Sequence, residues 1–90
     1  MSAHFEIART SASPQSWHAR LVVGGLMTWG TENYSRQVGA ERAICSLIRH
    51  LTGRDAYLIW NVKGAEKVAV LDGVDLHTHT VRYVDERVAP

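Results

Sequence analysis

His77 and His79 stand two residues apart in the segment LHTHT. On an extended strand that spacing turns both imidazoles to one side, a usable arrangement for two zinc ligands. A site needs a third or fourth donor, and Cys45, His4, His18 or His50 would have to be brought in by folding. The plainer reading is two solvated histidines beside a turn, so no metal is assigned and His77 and His79 are kept as candidates only. Cys45, the single cysteine, has neither a second thiol nor a Cys-His motif beside it. A reactive cysteine needs a thiolate-stabilising environment, and a half-buried small residue on the border of a helix is preferred here.

Arginine supplies eight of the ten basic residues. Arg42 and Arg49 lie seven positions apart, on the outward face of one helix. With Arg20 and the ring of Trp29 they would form a basic, aromatic patch of the kind on which single-stranded nucleic acid stacks its bases. Glu32 and Glu41 are close in sequence, however, and the formal net charge is only +1. An ordinary solvated helix face is therefore preferred, with a nucleic-acid-binding module as the alternative. Three Trp and three Tyr are many large rings for so short a chain. Core filling accounts for part of them, and those left outside would anchor a partner. Trp29, Tyr34 and Trp60, with Arg20, Arg42 and Arg49, are the interaction candidates. Glycine-rich phosphate loops, G-x-S-x-G elbows and paired acid motifs are absent. No catalytic residue or cofactor is assigned, and the chain does not read as an enzyme.

The elements that must position these residues can be read along the chain. Ninety residues, 46% of them hydrophobic, make one domain spanning 1–90. HFEIAR (4–9) alternates with Phe5 and Ile7 on one side, and WHARLVV (17–23) alternates again. Gly24-Gly25 separates that run from LMTWG (26–30), as a tight hairpin requires. Three antiparallel strands in a meander follow from this. From Ala40 the apolar positions fall at Ala40, Ala43, Ile44, Leu47, Ile48 and Leu51, a 3.6-residue stripe. Ser35 is the expected N-cap and Gly53 the expected C-cap of a helix over residues 36–51. AYLIWNV (56–62) and KVAVLD (67–72) read as a hairpin, Asp72-Gly73 as a turn, and residues 79–88 as a last strand. The fold class is α+β: an antiparallel sheet with a single amphipathic helix on one face. A lone cysteine suits a reducing compartment, MSAHFEIARTS does not read as a signal peptide, and no apolar run spans a membrane. A cytoplasmic, non-membrane protein is expected.

FEI near the start, WHARLV, the glycine turn, W-x-TENYS and GAERAI together resemble the YegP-like family of small prokaryotic and phage proteins. The matching positions are Phe5, Ile7, Trp17, Arg20, Leu21, Glu32, Tyr34, Ser35, Gly39, Ala40, Glu41 and Ile44, over residues 4–51. The resemblance implies a β3-α-β unit that pairs with a second unit by exchanging C-terminal strands, and hence a homodimer with RYVDER (82–87) as the exchanged strand. Residues 54–78 depart from that pattern and read as a hairpin insertion. No site residue comes with the resemblance.

A chain of this length buries only about 60–65% of its unfolded surface, so a second copy would add useful burial. The leading expectation is a small homodimeric protein–protein interaction module, a bacterial or phage accessory factor or inhibitor, with an unidentified protein partner. Nucleic-acid binding through the helix arginines and zinc binding through His77 and His79 are the alternatives.

Overall fold

The computed structural model describes residues 3–10, 16–60, 66–71 and 74–86, the side chains of 74–79 excepted. The period-two segments form β1 (Ala3–Thr10), β2 (Ser16–Val23) and β3 (Leu26–Gly30) as the expected antiparallel meander. Phe5 stands opposite Leu21, Ile7 opposite Ala19, and Leu21 opposite Trp29. Gly24 and Gly25 take φ of 58° and 82°. Both are left-handed values that the two-residue turn between right-twisted strands demands.

Helix α1 (Gln37–Thr52) buries Ala40, Ile44 and Ile48, with Leu47 packed partly against the same cluster. Leu51 was expected to extend the stripe but is 70% exposed, because the buried positions of the helix end at Ile48. Gly53 ends the helix as expected, at φ 72°, its N–H donating to the Arg49 carbonyl at 2.7 Å. The start differs from expectation. Arg36, not Ser35, is the N-cap, extended and without a side-chain capping bond. Tertiary pairing decides this: Tyr34 exchanges two backbone hydrogen bonds with Trp17, at 2.6 and 2.7 Å, which fixes where the chain enters the helix.

Beyond α1 come β4 (Ala56–Trp60), β5 (Lys67–Leu71) and β6 (Val74–Asp85). The last strand begins five residues earlier than the sequence pattern suggests. All six strands form one sheet in the order β3-β2-β1-β6-β5-β4. The sheet is mixed, not purely antiparallel, since β6 runs antiparallel to β5 but parallel to β1, with Phe5 beside Val81 and Ile7 beside Tyr83. Side-chain alternation reports which face a residue takes and is blind to strand direction. The helix carries the chain from the β3 edge to the far edge, and β6 returns to the central slot. The segment expected to be exchanged thus pairs, over Arg82–Asp85, with β1 of its own chain. Residues 54–78 supply the β4–β5 pair at one end of the sheet. The connections 11–15 and 61–65 and the expected turn at Asp72-Gly73 lie outside the described residues.

One hydrophobic cluster fills the space between helix and sheet: Phe5, Ile7, Ala19, Ala69, Leu71 and Val81 below, Ala40, Ile44 and Ile48 above. Trp29 closes one side, edge-on to Phe5 at 6.2 Å and 88°. Ala8 points to the other face, as alternation requires, yet is fully buried; it is a small residue between His18 and Val84 on the flanking strands. Among the described residues no helix is long and apolar enough to cross a membrane.

Candidate functional site

Three of the sequence candidates meet. Trp29, Tyr34 and Arg42 line a groove of about 580 Å³ together with Thr31, Gly39, Leu47 and His50. Gly39 lets Tyr34 pack directly against the helix beside it: a Cβ there would lie 2.9 Å from the Tyr34 Cβ. Thr31 holds the rim, its Oγ1 accepting from the Ala19 N–H at 2.9 Å and donating to the Glu32 carbonyl at 2.9 Å. Trp29 and Tyr34 are only partly exposed and also pack on the core, so they serve stability before contact.

The other arginines are elsewhere. Arg20 lies on the sheet face away from α1, its Nε donating to Glu6 Oε1 at 2.6 Å and its Nη1 to Glu86 Oε1 at 3.0 Å. His4 Nε2 sits 2.9 Å from the second Glu6 oxygen. Arg49 is exposed and paired with Asp55 at 3.2 Å. Arg20, Arg42 and Arg49 therefore do not make one basic strip, and Arg20 is already neutralised by two carboxylates.

Burial alone would push the Glu6 carboxyl up, but its hydrogen bonds and charge attraction with His4 and Arg20 outweigh that and hold it below the ordinary range. Because the folded pKa is depressed, this carboxylate contributes stability above the unfolded value of about 4.3 and loses it as pH falls through the folded value. Glu6→Gln should cost about 1–3 kcal/mol at pH 7, most of it from leaving Arg20 half-buried with a weaker partner. In urea titrations the gap between wild type and variant should narrow steadily below about pH 4.3. A gap that is the same at pH 7 and pH 3 would show that the charge pairing is not its cause.

A second constellation escaped the sequence reading. Arg9, Trp17, Gln37, Trp60, Tyr83 and Asp85 line a pocket of about 390 Å³. The Arg9 guanidinium lies 5.1 Å from the centre of the Trp17 ring. Trp60 stacks on Tyr83 at 5.9 Å and 24°, and the Lys67 ammonium lies 5.0 Å from the Trp60 ring centre. Lys67 and the Tyr83 hydroxyl both donate to Glu41 Oε1, the latter at 3.0 Å. Burial, followed by the charge of Glu41 and its hydrogen bond, pushes the Tyr83 phenol up. Arg9 Nε is buried without a hydrogen-bond partner, an omission that ordinarily costs about 1–3 kcal/mol. The available signal was alternation: Arg9 falls on the same side of its strand as Phe5 and Ile7, a charge continuing an apolar row.

Burial also pushes the Cys45 thiol up, helped by the Glu41 charge, the reverse of what a nucleophilic thiolate needs. Among the described residues no group of three or more His, Cys, Asp and Glu is placed to hold a metal ion, and the side chains of His77 and His79 lie outside the described ones.

The remaining candidate, Trp60, belongs to an edge. β4 is the terminal strand of the sheet, and its sequence AYLIW has no charge, proline or glycine. Tyr57, Ile59 and Trp60 are 50%, 53% and 56% exposed. In comparisons with known proteins, no family model, no curated protein and no solved structure matches this chain.

Proposed function

We propose that the chain is a protein-interaction module working as a pair of identical copies joined edge to edge through β4, an accessory factor or inhibitor that acts by contact. The observation that carries this is the apolar β4 edge, which among the described residues has no strand beside it other than β5. Unpaired strand edges are normally blunted by lysine, proline or a bulge. At β3, the opposite edge, the pairing with β2 is interrupted by a register shift at Leu21/Val22. β4 is uninterrupted, regular through all five of its pairs with β5.

Its sequence suits self-pairing. An antiparallel two-fold pairing centred on Leu58 sets Tyr57 against Ile59 of the second copy and Trp60 against Ala56. Aromatic and β-branched residues form favourable cross-strand pairs, and a large ring fits beside a small residue. All three exposed side chains gain cover at once, and no like charges meet. The YegP-like resemblance of residues 4–51 lends support, since units of that kind work in twos, although here the pairing uses the added hairpin. The groove of Trp29, Tyr34 and Arg42 lies toward the other end of the sheet and stays open in such a pair, available to a partner protein.

Light scattering at micromolar concentration tests the pairing. The wild-type mass should be that of two chains, and Ile59→Lys should reduce it to one while leaving the far-ultraviolet circular dichroism unchanged. A wild-type mass of one chain would sink the proposal.

A further inference from the structure

We infer that the pocket lined by Arg9, Trp17 and Trp60 is a binding site for a small planar aromatic carboxylate. Strand register creates it. Trp17, Arg9 and Asp85 are direct neighbours across β2, β1 and β6, so a ring, a guanidinium and a carboxylate form one row on the helix side of the sheet. Tyr83, two residues before Asp85 on β6, and Trp60, stacked on it, make the opposite wall. Gln37, the first residue of α1, closes the end. The volume of about 390 Å³ suits a small ligand.

Each part of the lining narrows the ligand class. Arg9 forms no salt bridge among the described residues, and its Nε lacks a hydrogen-bond partner. A guanidinium is a planar fork that receives a carboxylate through two parallel hydrogen bonds. The second cation nearby, Lys67, is already committed to Glu41, so Arg9 is the cation that faces a ligand. Asp85 in the same lining works against any anion, and against a doubly charged phosphate about twice as strongly as against a singly charged carboxylate. The rings of Trp17, Trp60 and Tyr83 offer stacking and edge contacts that a flat ligand satisfies and an aliphatic acid does not. The first turn of α1 carries no acidic residue, and Glu41, one turn further on, is held by Lys67 and the Tyr83 hydroxyl. The site shares Trp60 with the proposed β4 edge, while its anchor, Arg9, sits on the central strand β1.

The test is a titration of the full-length chain with cinnamate, read by the tryptophan indole N–H resonances in nitrogen-15 correlation spectra. Saturable shifts of the Trp17 and Trp60 signals are expected. Arg9→Gln and Arg9→Lys, each checked for folding by circular dichroism, should both weaken binding at least about tenfold, since neither offers the fork. Cyclohexanecarboxylate, neutral cinnamamide and phenyl phosphate should bind correspondingly worse. The absence of a saturable shift at millimolar cinnamate, equal binding by a folded Arg9 variant, or equal binding of the neutral amide would overturn the assignment. Ile59→Lys leaves Arg9, Trp17 and Tyr83 untouched, so the Trp17 indole should still shift saturably with cinnamate in that variant even where light scattering gives one chain. The Arg9 variants should lose the shift while keeping the wild-type mass, which separates failure of this site from failure of the β4 pairing.

Discussion

Ile44→Ala should lower the stability of the domain by about 2–5 kcal/mol, the range for truncating a fully buried branched side chain. Ile44 is completely buried and sits in the middle helical turn, between Ala40 and Ile48, in the cluster that joins helix to sheet. Its neighbours belong to secondary structure on both sides and cannot collapse freely into the space left behind. In a domain of this length the total is on the order of 5–13 kcal/mol, so the loss is a large fraction of it. The melting temperature should fall by about 4–8 °C for each kcal/mol. The matched control is Leu51→Ala. Leu51 has the same place in the apolar repeat but is 70% exposed, and its truncation should stay within about 0.5 kcal/mol. Thermal melts of both variants at one fixed protein concentration decide the matter, and equal losses would contradict the described burial.

Gly39→Val should be nearly as damaging, by about 1–3 kcal/mol, for the opposite reason. Here a side chain is added where none fits. A Cβ at position 39 would stand 2.9 Å from the Tyr34 Cβ and 3.0 Å from its Cγ and Cδ1. The Tyr34 Cβ is not the free end of a flexible side chain, and Tyr34 is tied to Trp17 by two backbone hydrogen bonds, so it has little room to retreat. Helix propensity pulls the other way, since alanine is favoured over glycine inside a helix by about 1 kcal/mol. The two effects can be separated. Gly39→Ala should be destabilising or neutral alone, but stabilising in a Tyr34→Gly background, where the overlapping atoms are gone and propensity acts unopposed. A double-mutant cycle by chemical denaturation measures that coupling. Additive effects would mean that Tyr34 does not constrain residue 39.

Much of the fold is legible in the residues themselves. Alternation at Phe5, Ile7, Ala19 and Leu21 and the glycine pair at 24–25 specify the meander, and the stripe ending at Gly53 specifies the helix, because these signals are local. What local signals cannot carry is direction and order. Nothing in the alternation of Val81 and Tyr83 reveals that they lie parallel to Phe5 and Ile7, so the sheet reads as antiparallel from sequence and is mixed in fact. The helix start moved from Ser35 to Arg36 because a tertiary bridge at Tyr34 outweighed a good capping side chain. The sites divide in the same way. Trp29, Tyr34 and Arg42 come from adjoining segments, and their convergence follows from helix and strand being neighbours. Arg9, Trp17, Trp60, Tyr83 and Asp85 come from four strands, and only the sheet order makes them one lining.

The parallel pairing of β1 with β6 also sets how the domain meets mechanical load. Residues 3 and 85 lie toward opposite ends of the ladder that joins the first and last strands. Tension applied between them pulls the two strands lengthwise past each other, so the rungs from Phe5–Val81 to Arg9–Asp85 share the force and must yield together. An antiparallel neighbour pulled from one end would open rung by rung like a zipper. The chain thus has a shear clamp along its central seam, and a tug between residues 3 and 85 loads that clamp lengthwise.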